Sequence, residues 1–521
     1  MLDQEQVIHN QQRHYLRGSV RFLVYAFAIF LATLTYWVNS NFGRASIEQI
    51  LYHAQFGLQG LVDTDVGIIK SFISWCVALP IFTALFLVLI EYSIALFLIH
   101  GPKHWFAKPI KIFNLRSIKV FYWFIGHRAP LYTLIACFAY FAIQFSFATF
   151  VRSKFGYDYF GAHYIDPKTV KVEYGADAKQ TNPAPKNLLL IYVESLENTY
   201  QNKALFGRNL LAPLDQLPGT SFSQFKQVPG THWTIAGITA THCGIPLKNV
   251  SLYDGNNQGE KIKSFLPNAR CLGDILHVAG YYNVYMGGDA LAFSGKGKFF
   301  KDHHYDEVLG REELKQHIQN PAMNYWGLYD DDLLVLVAAK LKSLQASKRP
   351  FNLTMTTIDT HGPDGHYSKL CKARGVKEFR GIVECTASQV AKFVTQMKKD
   401  GLLKNTNVVI LGDHLAMYNP LHKALDHTKT RHIYNRFIAE TPVTKNRENI
   451  LHFDLYPTIL EFIGLSVEGG KLGLGFSGIS SNVELPPATI YEDMNRDLLN
   501  ASDRYLELWE EHSQNNNIEK Q

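Results

Sequence analysis

The sequence predicts a membrane-anchored α/β protein, a block of apolar helices followed by a mostly parallel sheet covered on both faces. Three observations predict it. Up to about residue 151 the chain is rich in long apolar runs. Beyond that point short apolar runs alternate with helix-like segments. Side chains with metal-binding chemistry stand just past three of those runs. The overall figures, 47% hydrophobic and 19% charged over 521 residues, average two unlike halves. Such a length holds a membrane part plus one large domain or two small ones. The net charge of +6 is modest, and much of the excess sits in the apolar half. It is therefore not a nucleic-acid signal, and no nucleic-acid partner is expected.

The apolar runs come first. A helix needs roughly 20 residues to cross a bilayer. Ser19–Val38 meets that length, with Arg13, Arg17 and Arg21 around its start. No small-residue cleavage site follows, so an uncleaved anchor is expected rather than a signal peptide. A second run, about Ile68–Leu98 with Glu91 near its end, exceeds one straight span and is expected to tilt or to extend past the membrane surface. The third runs from about Ala129 to Val151. The connection Gly101–Arg128 carries Lys103, Lys108, Lys111, Arg116, Lys119 and Arg128 and no Asp or Glu, whereas Asn39–Gly67 carries Arg44 as its only Lys or Arg. Lys and Arg mark the cytoplasmic side. The N-terminus is thus expected inside, and everything after Val151 outside. The expected organisation is an anchor over 1–151 with about three crossings, a linker over 152–185, an outside-facing domain over 186–495 and a polar tail over 496–521.

Cysteine usage bears on the same topology. Cys76 and Cys137 lie in apolar runs, and Cys243, Cys271, Cys371 and Cys385 lie in the second half. An even set in an outside-facing domain predicts two disulfides, with Cys243–Cys271 and Cys371–Cys385 the local pairings. Four reduced, buried thiols are the alternative.

In the second half, Thr181-Asn-Pro-Ala-Pro185 breaks the chain before Asn187–Val193, a continuous apolar run that fits a strand buried on both faces. Helix-like Cys271–Val278 leads to strand-like Tyr282–Met286. Asp330–Leu344 leads to Phe351–Ile358, and Thr386–Lys398 leads to Asn407–Leu411. This alternation argues for an α/β sheet with helices on both faces. The residues after Arg496 are expected to fray.

Sites in open α/β sheets form beyond the carboxyl ends of the strands. Glu194, His361 and the pair Asp413-His414 each follow an inferred strand. The stretch Gln227–Gly237 adds a hydroxyl, Thr234, at the mouth of a small-residue helix. Taken singly, each reads as a turn residue or a helix cap. Together, two carboxylates, an imidazole and a hydroxyl make a site for a hard-to-borderline divalent ion. Such an ion favours the alkoxide of a bound hydroxyl, and the helix mouth favours a phosphoryl or sulfuryl group. Thr231, in the preceding Pro-Gly turn, is the other candidate hydroxyl.

These residues in this order resemble the alkaline phosphatase and sulfatase superfamily. The chain looks most like its membrane-anchored headgroup transferases: lipoteichoic acid synthases, phosphoethanolamine transferases, and above all the phosphoglycerol transferases that decorate periplasmic glucans. The resemblance is carried by Ile191-Tyr-Val-Glu-Ser-Leu-Glu197, Pro229-Gly-Thr-His-Trp-Thr-Ile-Ala-Gly237, Cys243-Gly-Ile-Pro-Leu247, Cys271-Leu-Gly-Asp-Ile-Leu276, Trp326-Gly-Leu-Tyr-Asp330, Asp359-Thr-His-Gly-Pro-Asp-Gly365, Asp413-His-Leu-Ala-Met417 and Phe453-Asp-Leu-Tyr-Pro-Thr-Ile-Leu460. It covers roughly residues 185 to 465, and the membrane half matches only in kind.

The resemblance implies a sulfatase-like three-layer α/β/α domain. It implies one divalent ion, manganese first and magnesium or zinc as alternatives, on Glu194, Thr234, Asp413 and His414. It implies Thr234 as the nucleophile that takes phosphoglycerol from phosphatidylglycerol, releasing diacylglycerol before a periplasmic glycan hydroxyl displaces it. Thr234 stands ten residues before Gly244, the spacing of sulfatase-like nucleophiles to the glycine closing their helix. His361 is expected to contact the phosphate or assist proton transfer, and Lys296, Trp233 and Asp289 to bind substrate. The two local disulfides fit this subgroup.

The chain also departs from the synthases, which carry a His and an Arg in the loop after the next strand. Gly287 and Lys296 are the nearest positions here. Lysine holds a phosphate as a point charge without clamping it bidentately. That suits the glucan-modifying subgroup. The expected location is a bacterial inner membrane, multi-pass, with the catalytic domain in the periplasm. A phosphoethanolamine transferase is the nearest rival. A sulfatase is disfavoured because Thr234-Ile-Ala-Gly237 lacks the Cys/Ser-x-Pro-x-Arg setting, and a non-catalytic membrane sensor is the reading from another class. His422, His427 and His432 read as a solvated loop.

Overall fold

The computed structural model describes residues 2–42, 66–100, 115–145, 155–174, 186–248, 263–481 and 483–510, with side chains of the N-terminal helices described at 18–40, 69–93 and 128–145. The chain divides into two compact units, one of N-terminal helices and one that includes everything from Phe150 onward.

Two helical stretches among the described residues are long and apolar enough to cross a membrane, Gly18–Ser40 and Ile69–Ser93. Large apolar side chains such as Leu23, Phe82, Phe86 and Ile143 point outward from this unit, as they do where lipid is the solvent. The third expected crossing starts within the helix Leu115–Gln144, and its end at 146–151 lies outside the described residues. So do 43–65 and 101–114, which hold most of the two charge-marked connections. The long second run is helical from Val66 to His100 but widens to a π-helix over Ile73–Ala78. Pro80 explains the widening, because it has no N–H for the carbonyl four residues back and its ring crowds that turn. Glu91 on this run is matched by Arg21 at 3.4 Å and by the Tyr25 hydroxyl, so the carboxylate is not left unpaired in apolar surroundings.

The second unit is built on a six-stranded sheet. Its strands in chain order are β1 (Asn187–Val193), β2 (Tyr282–Gly287), β3 (Glu307–Leu309), β4 (Phe351–Thr356), β5 (Thr406–Gly412) and β6 (Asn435–Ile438). They lie in the order β3-β2-β4-β1-β5-β6, parallel except for β6. Five helices matter for the site: α1 (Thr234–Cys243), α2 (Leu272–Val278), α3 (Asp330–Ser347), α4 (Phe379–Lys399) and α5 (His452–Phe462). Side chains alternate across a strand, and central β1 divides accordingly. Leu188, Leu190 and Tyr192 enter a core with residues of α1, α2 and α5. Leu189, Ile191 and Val193 enter a second core with residues of α3 and α4. Every residue of β1 is buried. Burial on both faces favours apolar side chains on both, which accounts for the unbroken run from Leu188 to Val193.

Register then places the chemistry. Val193 pairs with Gly412 and Tyr192 with Thr356, so β1, β4 and β5 end side by side and release Glu194, the Asp359–His361 loop and Asp413 at one edge. β4 stops at Thr356, two residues before the expected Ile358. There the Thr357 N–H turns to Tyr192 O (3.0 Å) and the Ile358 N–H is taken by the Asp330 carboxylate (2.8 Å).

Other boundaries also shift. α4 begins at Phe379, not Thr386: Phe379, Ile382 and Val383 are buried at helical spacing, and the charged Arg380 between them and Glu384 just after them mask the pattern. The edge strands β3 and β6 were not expected, being short and without an apolar run. The expected linker is part of the fold over 155–174. Helix Tyr159–His163, capped by Asp158, buries Phe160, and Val172–Tyr174 pairs antiparallel with Leu465–Val467. The expected tail also packs as far as 510: Tyr505 and Leu508 are buried, and the Tyr505 ring meets Phe160 edge-on at 5.3 Å. Aromatic area, worth more buried than solvated, outweighs the polar composition of both segments. Residues 175–185 and 511–521 lie outside the described set.

Cys243 is bonded to Cys271 and Cys371 to Cys385, with Cys76 and Cys137 free. The first bond ties the end of α1 to the residue capping α2. The second closes a loop of sequence separation 14 against α4. Replacing Cys371 and Cys385 together by alanine is expected to cost about 2–4 kcal/mol, read as a lower denaturation midpoint. An unchanged midpoint would show that the bond does not constrain the unfolded chain.

Candidate active site

Four of the expected residues converge at the carboxyl edge of the sheet. Glu194, Asp413 and His414 offer ligand atoms that all lie within 4.8 Å of one another, and all three residues are buried. His414 Nε2 is 3.4 Å from Asp413 Oδ2 and 3.6 Å from Glu194 Oε1. Thr234 Oγ1 donates to Glu194 Oε2 at 3.3 Å.

Each member is held from behind. Ser195, in a left-handed conformation at φ 56°, donates its hydroxyl to Glu194 Oε1 (2.6 Å) and its N–H to Asp413 Oδ1 (2.8 Å). The Thr360 hydroxyl donates to the Glu194 carbonyl at 2.5 Å. The His414 N–H also reaches Asp413 Oδ1, at 3.0 Å. His452 Nε2 sits 2.8 Å from the Asp413 carbonyl, which can only accept, so His452 donates there.

Thr234 is the first residue of α1 and not its cap. That position belongs to Trp233, whose side chain makes no capping bond. The first N–H groups of a helix have no intrahelical acceptor, and with the helix dipole they favour an anion. α1 also lies very close to the Asp413 loop. A Cβ on Gly237 would stand 2.1 Å from the Asp413 carbonyl oxygen, so the small residues of this helix allow the hydroxyl and the carboxylates to meet. At the other end Gly244 caps α1 with φ 67°. Thr231, the alternative hydroxyl, is fully buried and donates to the Val228 carbonyl at 2.8 Å.

Burial and mutual charge both act on the cluster. Burial, then the neighbouring Glu194 charge, raises the Asp413 carboxyl to about 6. Burial opposes protonation of His414, but Asp413 and Glu194 outweigh it and its pKa is raised. Asp413 Oδ2 and His414 Nε2 are buried without a hydrogen-bond partner. Leaving such a group unsatisfied costs about 1–3 kcal/mol. Two carboxylates, an imidazole nitrogen with its lone pair directed inward and a nearby hydroxyl suit a divalent cation, and the residues present fit one. A second group, Cys243, Cys271 and His303, also clusters. Its sulfurs are joined to each other, so they are not thiolate ligands. His422, His427 and His432 belong to neither group.

His361 stands in the loop after β4 with its ring 4.3 Å from that of Trp326. Burial lowers its pKa to about 4. Its Nδ1 lies 2.7 Å from the Gly362 carbonyl and therefore carries the proton, leaving Nε2 with a lone pair. The loop is fixed by Asp330, whose Oδ1 takes the N–H groups of Ile358 (2.8 Å) and Asp359 (3.2 Å).

The three expected substrate-binding residues are placed differently from one another. Lys296 and Asp289 are both buried and paired with each other. Burial works against the Lys296 charge, but Asp289 outweighs it and raises the pKa. Asp289 Oδ1 is buried without a partner. Trp233 packs in the α1-side core at 5% exposure.

Residues around the cluster that the sequence did not single out are Ser195, Glu197, Gln227, His232, Arg431 and His452. Burial and then His414 lower His232 to about 4, and burial lowers His452 to about 3. Ser195, Glu197, Gln227 and His232 lie inside the motifs already quoted. Arg431 and His452 carry no local signal.

A doubly wound sheet with a carboxylate–histidine cluster and a helix-mouth hydroxyl at its carboxyl edge defines a class of anion-handling α/β domain. The chain belongs to the sulfatase family, whose model, described as Sulfatase, matches residues 186–465. It is 36% identical over 320 residues to phosphoglycerol transferase I of Salmonella arizonae, covering 59% of this chain and 41% of that protein. It is 37% identical over 321 residues to phosphoglycerol transferase I of Shigella flexneri, at the same coverage. The chain thus spans 41% of the length of these curated relatives. Among solved structures, the lipoteichoic acid synthase LtaP from Listeria monocytogenes aligns over 65% of this chain and 96% of its own at 15% identity, with a TM-score of 0.45.

Proposed function

We propose that the domain over 186–495 transfers phosphoglycerol from phosphatidylglycerol to a glycan hydroxyl, through a covalent intermediate on Thr234, on the periplasmic side of a bacterial inner membrane. The observation that carries this reading is the Thr234 hydroxyl, 3.3 Å from Glu194 within the buried Glu194–Asp413–His414 cluster. The identity to phosphoglycerol transferase I supports the headgroup. The apolar helices support a membrane anchor that holds the site beside a lipid donor.

Glu194, Thr234, Asp413 and His414 would hold one divalent ion, with manganese suited to this mixed oxygen and nitrogen donor set and magnesium or zinc as alternatives. Such an ion supplies positive charge that favours the ionised hydroxyl and the phosphoryl oxygens. Thr234 Oγ attacks phosphorus, its bond forming as the bond from phosphorus to the diacylglycerol oxygen breaks. The Thr234 proton passes to His361 Nε2 and from there to the departing diacylglycerol oxygen. In the second half-reaction the acceptor hydroxyl gives its proton to the same nitrogen and attacks phosphorus, and Thr234 leaves and recovers the proton. Burial keeps His361 neutral at pH 7, the state in which Nε2 can accept. The uncapped α1 N–H groups receive the phosphoryl oxygens. Lys296, paired with Asp289, supplies charge for the headgroup phosphate, and Trp233 shapes the helix mouth from the core side.

The test is incubation of the purified chain with manganese and labelled phosphatidylglycerol or, separately, phosphatidylethanolamine. Diacylglycerol released from phosphatidylglycerol alone is the expected result. Release from phosphatidylethanolamine alone would replace the headgroup assignment, and release from neither would overturn lipid-dependent transfer.

A further inference from the structure

The backing of His414 does not end at its own loop. His414 Nδ1 lies 2.8 Å from the Leu415 carbonyl, so it donates there and Nε2 carries the lone pair. The peptide unit that contains this carbonyl also contains the Ala416 N–H, which donates to Glu197 Oε2 at 3.0 Å. Glu197 is fully buried. Its carboxylate is gripped by Arg431, with Nε at 3.0 Å and 3.1 Å from the two oxygens and Nη2 on Oε2. Arg431 Nη2 also donates to the Ala416 carbonyl at 2.8 Å. On the other side the Leu415 N–H is held by Gln227 Oε1 at 2.7 Å.

We infer that Glu197, fixed by Arg431, is a positioning residue that acts on His414 through the Leu415–Ala416 peptide, setting its tautomer and the donor strength of Nε2. This rests on the reading of Glu194, Asp413 and His414 as ion ligands. The physical argument is polarisation. A carboxylate accepting from a peptide N–H draws the N–H dipole toward itself and leaves the carbonyl oxygen of that peptide more negative. That oxygen then holds the Nδ1 proton more firmly, and the opposite ring nitrogen becomes more basic. Metal-binding histidines commonly receive this support from a carboxylate directly bonded to the ring. Here a rigid peptide stands between carboxylate and ring, and the carboxylate comes from the loop after β1, the strand that also delivers Glu194. One segment, Glu194–Glu197, therefore provides a ligand and orients another. Arg431 has two uses in this arrangement. It compensates the charge of a buried carboxylate, which is strongly unfavourable if left unpaired, and its bond to Ala416 O restrains the following peptide.

The experiment uses the full chain in detergent, stripped by a chelator and titrated with Zn2+ by calorimetry. Glu197→Gln preserves shape and an acceptor for the Ala416 N–H but removes the charge. It is expected to weaken Zn2+ binding by about 10–100-fold, with far-ultraviolet circular dichroism of the ion-free protein retained. Glu197→Asp, which restores the carboxylate, is expected to recover part of that loss. Binding by Glu197→Gln within about two-fold of wild type would overturn the relay. A wild type that takes up no Zn2+ would overturn the ion-site reading and the relay with it, which separates the two failures. A second measurement needs no variant. In the Zn2+-loaded wild type, nitrogen-15 spectra are expected to show His414 protonated at Nδ1 and ligated at Nε2. Ligation through Nδ1 would overturn the relay even if Glu197→Gln does not fold.

Discussion

Thr234→Ala is expected to reduce headgroup transfer by at least about 10³-fold while changing stability by less than about 0.5 kcal/mol. The first figure follows from removing the atom proposed to form the covalent bond. What survives such a deletion is catalysis by the remaining charges and by binding alone. The second follows from geometry: Thr234 is half-buried, and its hydroxyl bond to Glu194 is long, at 3.3 Å. The control is Thr231→Ala. Thr231 is fully buried and donates to Val228 O at 2.8 Å, so its loss is expected to lower stability by about 1–2 kcal/mol and to spare transfer. Labelled diacylglycerol release, and capture of labelled phosphoglycerol on the protein after acid quench, measure the first. Thermal melts measure the second. Exchange of the two outcomes would move the nucleophile to Thr231, and full transfer by both variants would remove the covalent intermediate.

How legible the site was in the sequence depends on where each residue sits. Asn187–Val193 is readable to the residue because burial on both faces favours the unbroken apolar run Leu188–Val193 that follows the Pro-rich break. The residues just past the ends of β1 and β5 stand out because polarity changes abruptly where such a run stops. Glu194 and Asp413-His414 could therefore be picked from spacing and chemistry, and register, which the sequence does not display, sets them side by side. Gly237 illustrates what could not be read. As a sequence feature it is a small residue in a helix, yet its missing side chain admits the Asp413 carbonyl. Arg431 is the opposite case, a charged residue in a His- and Lys-rich loop that looks solvated. Its partner Glu197 is far away in sequence, and only the fold brings that carboxylate to the guanidinium. Packing in the segments 155–174 and 496–510 is hidden for one reason: their composition is polar, but Phe160, Tyr505 and Leu508 each bury a large apolar surface. Average polarity does not reveal a few anchoring side chains.

Asp413→Asn is expected to abolish the thermal stabilisation that a divalent ion confers, and to leave the ion-free protein at least as stable as wild type at pH 7.5. The two halves have different causes. A ligand that binds the folded state alone stabilises it by about 2.7 kcal/mol at 100 times its dissociation constant, and loss of a carboxylate donor removes that increment. In the ion-free protein, however, the Asp413 charge is a burden. Burial and Glu194 raise its carboxyl from 3.8 to about 6, so the folded state binds this proton more tightly than the unfolded chain. The resulting stabilisation is fully present below pH 3.8 and is lost as pH rises through about 6. Above that pH the wild type carries two buried carboxylates without a compensating ion. Asparagine keeps an oxygen for the N–H groups of Ser195 and His414, now 2.8 Å and 3.0 Å from Oδ1. Its amide N–H can also face His414 Nε2, 3.4 Å from Oδ2 and without a partner. Melting temperatures at pH 5 and pH 7.5, with chelator and with manganese, test both halves. The wild-type advantage from manganese should exceed its variability at pH 7.5 and vanish in Asp413→Asn, while the variant's advantage with chelator should grow from pH 5 to pH 7.5. A variant that retains the manganese shift would take Asp413 out of the ion site. One that loses stability with chelator at pH 7.5 would show that this carboxylate is held for the fold and not for the ion.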